Sequence, residues 1–86
     1  MIERWTTNLD ALARMSPAEL ATERGRRVAA DCADAIRLEL DCPQQDLTSD
    51  QRELLSALGD LLDTLAHDER VVGIASAACR VLARSR

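Results

Sequence analysis

The residues best equipped for chemistry in this chain are Cys32, Cys42, Cys79 and His67. By type they make a nominal zinc set, since thiolate and imidazole are the usual ligands of a tetrahedral zinc site. Their spacing argues against one. No two of them form the short Cys-x-x-Cys pair that closes a structural site. Cys32 and Cys79 also fall on apolar helix faces, where cysteine behaves as a small core residue. A disulfide between Cys32 and Cys42 is awkward on a single helix, because ten residues rise about 15 Å. A thiol nucleophile needs a base and an electropositive pocket. His67 is the sole histidine, nothing ties it to a cysteine, and it reads as a polar residue at a helix end.

Carboxylates are the next candidates. Asp60 and Asp63 share a helix face, as do Asp31 and Asp34. Paired acids do general acid–base work only where a buried site separates their pKa values. On the polar side of an amphipathic helix they read as a solvated face. Ser49 and Ser56 have no triad context. The three glycines are isolated, and no phosphate-binding loop is present. Residues 23–27 (Glu-Arg-Gly-Arg-Arg) form the one basic cluster, which reads as solubility and ion pairing with Glu19, Glu23 and Asp31. The sequence therefore predicts no catalytic residue, no cofactor and no metal, and the chain is not expected to be an enzyme.

The elements that would position these groups are helices. Ile2, Trp5, Leu9 and Leu12 recur at three and four residues and predict a helix over about 2–14. Ser16, Pro17 and Glu19 form a capping box with proline at the first helical position. They open a second predicted helix over 17–40. Its apolar side carries Ala21, Val28, Ala29, Cys32, Ala35, Ile36 and Leu40, and Gly25 lies there too, where it would let another helix approach closely. Leu20 and Leu38 lie on a different side. Cys42-Pro43 ends this helix, since the residue before proline avoids the α region. Residues 44–47 make a short loop, and Thr48 with Gln51 is a second capping box.

The third helix, over 49–66, carries the strongest signal in the chain. Leu54, Leu55, Leu58, Leu61, Leu62 and Leu65 fall on one face, while Arg52, Glu53, Ser56, Asp60, Asp63 and Thr64 fall on the other. Such a stripe must be buried against something. From Val71 the apolar direction rotates, with Val71, Ile74, Ala75, Ala78, Val81 and Leu82 forming a new stripe. A break near Asp68 then gives a fourth helix over 70–84. A single helix across residues 49–84 is the competing reading. Leu58, Leu65, Val72 and Cys79 recur every seven residues, as such a helix could use.

Composition points the same way. Ala, Leu, Arg and Glu dominate, and all are strong helix formers. Three glycines and two prolines are too few for a turn-rich β architecture. The expected fold is all-α, a small bundle of three to four antiparallel helices forming one domain over residues 1–86. A formal net charge of −4 argues against general nucleic-acid binding and against docking on anionic membranes. No apolar run approaches the roughly 20 residues needed to span a bilayer. The first residues lack the apolar stretch of a signal peptide, and an odd number of cysteines suits a reducing compartment. The cytoplasm is the expected location.

With chemistry so poorly supported, apolar surface becomes the expected working equipment. The sequence predicts a small non-enzymatic protein–protein interaction module: an adaptor, inhibitor, immunity protein or small chaperone acting through an apolar helix face. Trp5, Leu54, Leu55, Leu58, Leu61, Leu62 and Leu65 are the residues expected to meet another protein or a second copy of the chain. Trp5 fits either a core lid or a binding hot spot. The alternative is a helix-turn-helix-like DNA-binding regulator using the last two helices, although the connection lacks the usual glycine-bearing turn and only Arg70, Arg80 and Arg84 are basic there. An acidic carrier domain would need an Asp-Ser-Leu motif, whereas residues 48–50 read Thr-Ser-Asp.

Overall fold

Capping, more than propensity, sets the helix boundaries. The computed structural model describes residues 4–42 and 46–85. They form α1 (Arg4–Arg14), the single-turn α2 (Pro17–Leu20), α3 (Glu23–Asp41), α4 (Ser49–His67) and α5 (Val72–Ser85), with a 3₁₀ turn at Glu69–Val71 before α5. There is no strand among the described residues. An all-α helical bundle is the result, as the composition requires. Ile2 and Pro43 lie outside the described residues.

Both expected capping boxes form. The Glu19 amide donates to Ser16 Oγ at 3.2 Å, and Glu19 Oε1 accepts from the Ser16 amide at 3.4 Å. The Gln51 amide donates to Thr48 Oγ1 at 3.1 Å, and Gln51 Oε1 accepts from the Thr48 amide at 2.9 Å. Each box satisfies amides that a helix start leaves without partners.

The predicted helix over 17–40 is corrected. It is two helices, because Thr22 caps a new start. The Gly25 amide donates to Thr22 Oγ1 at 3.2 Å, and the Thr22 hydroxyl donates back to the Glu19 carbonyl. The backbone at Thr22 is extended, so α3 starts anew there and does not continue α2. That turn resolves the placement of Leu20, which sits on α2 and is fully buried.

The break near Asp68 forms as expected, and the single-helix alternative for residues 49–84 is excluded. Asp68 ends α4 in an extended conformation, and its amide donates to the Thr64 carbonyl. Its carboxylate then accepts from the Arg70 amide at 3.0 Å. A short polar side chain bonding the backbone two residues on is a standard way to turn a chain without glycine.

One core gathers residues from every helix. Leu9 and Leu12 come from α1, Leu20 from α2, and Ala29, Cys32, Ala33 and Ile36 from α3. Leu55, Leu58, Leu62 and Leu65 come from α4, with Val72, Ala75 and Cys79 from α5. Fully burying each leucine stabilises the fold by about 1.5–3 kcal/mol. The most extensive contact is between α3 and α4, while α1 packs on α3 with one side and on α5 with another. The Cα radius of gyration is 12.0 Å, against about 12 Å for a compact chain of this length.

The direction of α5 is a further correction. The expected stripe placed Ile74 and Val81 inward. Ala75 of that stripe is buried, and Val71 and Leu82 pack against the core, but Ile74 and Val81 face out, while Val72, Ser76 and Cys79 complete the inner side. α5 is apolar around most of its circumference, so periodicity alone leaves its rotation undetermined. The seven-residue series Leu58, Leu65, Val72 and Cys79 is buried throughout, although it spans two helices.

Candidate partner-binding surfaces

The bundle does not assemble the cysteines and the histidine. Cys32 and Cys79 are buried in the core, whereas Cys42 is exposed where α3 ends. His67 is exposed and is the last residue of α4. Cys42 lies one short connection before the start of α4, and 19 residues of α4 separate that end from His67, about 28 Å of helix. Among the described residues, no group of three or more histidine, cysteine or acidic side chains could hold a metal ion. Burial pushes the Cys32 thiol up to about 12, with neighbouring Cys79 adding to the effect. Burial alone pushes Cys79 to about 11. Thiols held this far above neutrality are poor nucleophiles.

The paired acids divide. Asp63 on α4 accepts from the Arg37 guanidinium on α3, which holds its carboxyl below the ordinary range. The pair staples the two helices along their outer edge, with both side chains close to half exposed. A carboxylate held charged in this way is unsuited to donating a proton near neutrality. Asp60 is exposed beside it. Asp31 and Asp34 take a different position, in a surface groove described below.

The predicted partner-binding residues fall into two groups. Leu55, Leu58, Leu62 and Leu65 are taken up by the chain's own core. Leu54 remains 50% exposed, and Leu61 is partly buried at the edge of the core. Trp5 packs partly buried against the core from α1, and its carbonyl accepts a weak bond from Cys32 Sγ at 3.5 Å. The leucine stripe is thus covered mostly by α3 and by the rest of the bundle, and its outer margin stays open.

Two further surfaces expose large apolar side chains, one of them on residues that the period had aimed inward. On α5, Gly73, Ile74, Ala77, Arg80, Val81 and Arg84 are all exposed and share the outward arc of the helix. Ile74 is 65% exposed and Val81 is 55% exposed. Their edge of the arc is apolar, and the edge carrying Arg80 and Arg84 is basic. The sequence held a signal for this surface. All 15 acidic residues lie at or before Glu69, so the last 17 residues carry Arg70, Arg80, Arg84 and Arg86 with no acid among them.

The second surface is a groove of about 360 Å³ between α1 and α3, at the small end of the range for binding pockets. Asn8 contributes from α1, and Asp31, Asp34, Ala35 and Leu38 from α3. Leu38, at 58% exposure, forms its apolar end. The groove is acidic where the α5 face is basic.

No protein-family model, curated protein or solved structure matches this chain. Among the described residues, no helix is long and apolar enough to cross a membrane.

Proposed function

We propose that this chain is a small protein–protein interaction module that acts by apolar contact and carries out no catalysis. The observation that supports the reading is the outer face of α5. A helix whose inner side already fills the core still presents Ile74 and Val81 to solvent, bordered by arginine. Adjacent exposed apolar side chains with a charged border are a common feature of docking sites. Leu54 and the exposed part of Trp5 lie on other elements and extend the apolar surface available to a partner.

The test is site-specific photo-crosslinking in the native host, with the crosslinker replacing Ile74 or Leu54 and, as a control, exposed Thr7. Discrete protein adducts from Ile74 or Leu54, absent from Thr7, support the reading. No adduct at either position overturns it.

DNA binding is the second reading, and the acid-free, arginine-bearing α5 is what favours it. The remainder of the chain is strongly acidic, which opposes approach to phosphates. Duplex binding that falls steeply with added salt would replace the first reading with this one.

A further inference from the structure

We propose that the partner of the α5 outer face is a second copy of this chain, whose groove between α1 and α3 receives it. The proposal rests on the interaction-module reading and names the partner. Three observations carry it. The α5 face pairs an apolar edge, Ile74 and Val81, with a basic edge, Arg80 and Arg84. The groove pairs an apolar end, Leu38, with two carboxylates, Asp31 and Asp34. The two patterns are also comparable in length: Ile74 to Arg84 runs ten residue steps, about 15 Å of helix, and Asp31 to Leu38 runs seven, about 10.5 Å.

These surfaces cannot satisfy each other within one chain, because both are exposed in it at once. Between copies they can. Seating Ile74 against Leu38 removes the two most exposed large apolar side chains from water, and Val81 follows about 10.5 Å further along the groove. Arg80 and Arg84 then meet Asp31 and Asp34, and guanidinium–carboxylate pairs fix register as well as adding attraction. The contact joins two different surfaces, so each copy offers one of each. Two copies close a dimer when both contacts form together, and longer assemblies follow when they form in series.

The experiment is sedimentation of the full chain from micromolar to millimolar concentration, at low and high salt. The expected result is a mass that rises above 9.4 kDa with concentration and falls back as salt screens the pairs. Asp34→Arg and Arg80→Glu each place like charges across the contact. Each alone is expected to weaken association about tenfold or more, the effect of roughly 1.4 kcal/mol. Mixed in equal amounts, the two variants restore opposite charges at both contacts and are expected to associate again. Both positions are exposed, and far-ultraviolet circular dichroism verifies that the variants stay helical. A wild-type chain that remains at 9.4 kDa throughout overturns the proposal. So does association that neither variant weakens, or a mixture that fails to recover.

Crosslinking from Ile74 separates this proposal from the broader one. Adducts at twice the chain mass support self-association. Adducts to other proteins alone overturn it and leave the interaction-module reading standing. No adduct at Ile74 or Leu54 overturns both.

Discussion

Gly25 lies directly against the turn of α2. A methyl group in place of its hydrogen would stand 2.6 Å from the Leu20 Cα and 2.4 Å from the Glu19 carbonyl oxygen. Contacts that short require backbone to move. The close approach expected of Gly25 is therefore made, and its neighbour is the preceding turn of the chain. Gly73, by contrast, has nothing near the position of a Cβ and lies on the exposed side of α5.

These two glycines are expected to respond oppositely to alanine. Alanine is favoured over glycine in a helix interior by about 1 kcal/mol. Gly73→Ala, in the first turn of α5, should gain part of that amount. Gly25→Ala gains the same propensity but must displace α2, and overpacking of this kind costs about 1–3 kcal/mol. Urea denaturation of both variants measures the difference, and Gly25→Ala as stable as Gly73→Ala would contradict the packing of α2 on α3.

On α4 the leucines should separate by position. Leu62 is fully buried, and Leu62→Ala is expected to cost about 2–5 kcal/mol. Leu58→Asp or Leu62→Asp should abolish folding, because an unpaired charge would enter the core. Leu54→Asp should remain folded, since that side chain is half exposed. Thermal unfolding followed at a helical wavelength distinguishes them.

Ser76 is 3% exposed and its hydroxyl has no hydrogen-bond partner. Burying such a group costs about 1–3 kcal/mol. Ser76→Ala is accordingly expected to stabilise the chain by about 1 kcal/mol. A lower midpoint in chemical denaturation would show that the hydroxyl is satisfied in solution.

The cysteines should react in two classes. Cys42 is exposed, while Cys32 and Cys79 are buried with raised pKa values. One thiol per chain is expected to react promptly with a thiol reagent in native buffer, and the other two only in denaturant. Cys42→Ser should remove the prompt phase and leave the slow one.

Acid should loosen the turn between α4 and α5. The Asp68 carboxylate accepts from the Arg70 side chain at Nε and Nη2, and also from the Arg70 amide, and it is held at about 2 against an ordinary 3.8. A lowered folded value means the contribution is complete above the unfolded value and fades as pH falls from about 4 towards 2. Asp68→Asn should flatten the pH dependence of stability across that window. An unchanged acid profile would show that the turn does not depend on this carboxylate.

Much of the local architecture was legible because it depends on neighbours a few residues apart. The boxes at Ser16 and Thr48 each need only a hydroxyl and a side chain three residues on. The leucine series of α4 alternates with charge sharply enough to aim the helix. Thr22 was missed as a cap because Gly25, three residues on, completes no reciprocal box. The exposed face of α5 was missed because apolar residues on both sides of that helix blur its period.

Helical class, the capping boxes at Ser16 and Thr48, the break at Asp68 and the inward direction of α4 follow from the order of residues alone, since propensity, capping and period act over one or two turns. The rotation of α5, the fold-back of α2 over Gly25 and the placing of Asn8 beside Asp31 and Asp34 along one groove depend on how the helices pack on one another. Those contacts join residues far apart in the chain, and packing chooses among orientations that local preferences leave nearly equal in energy.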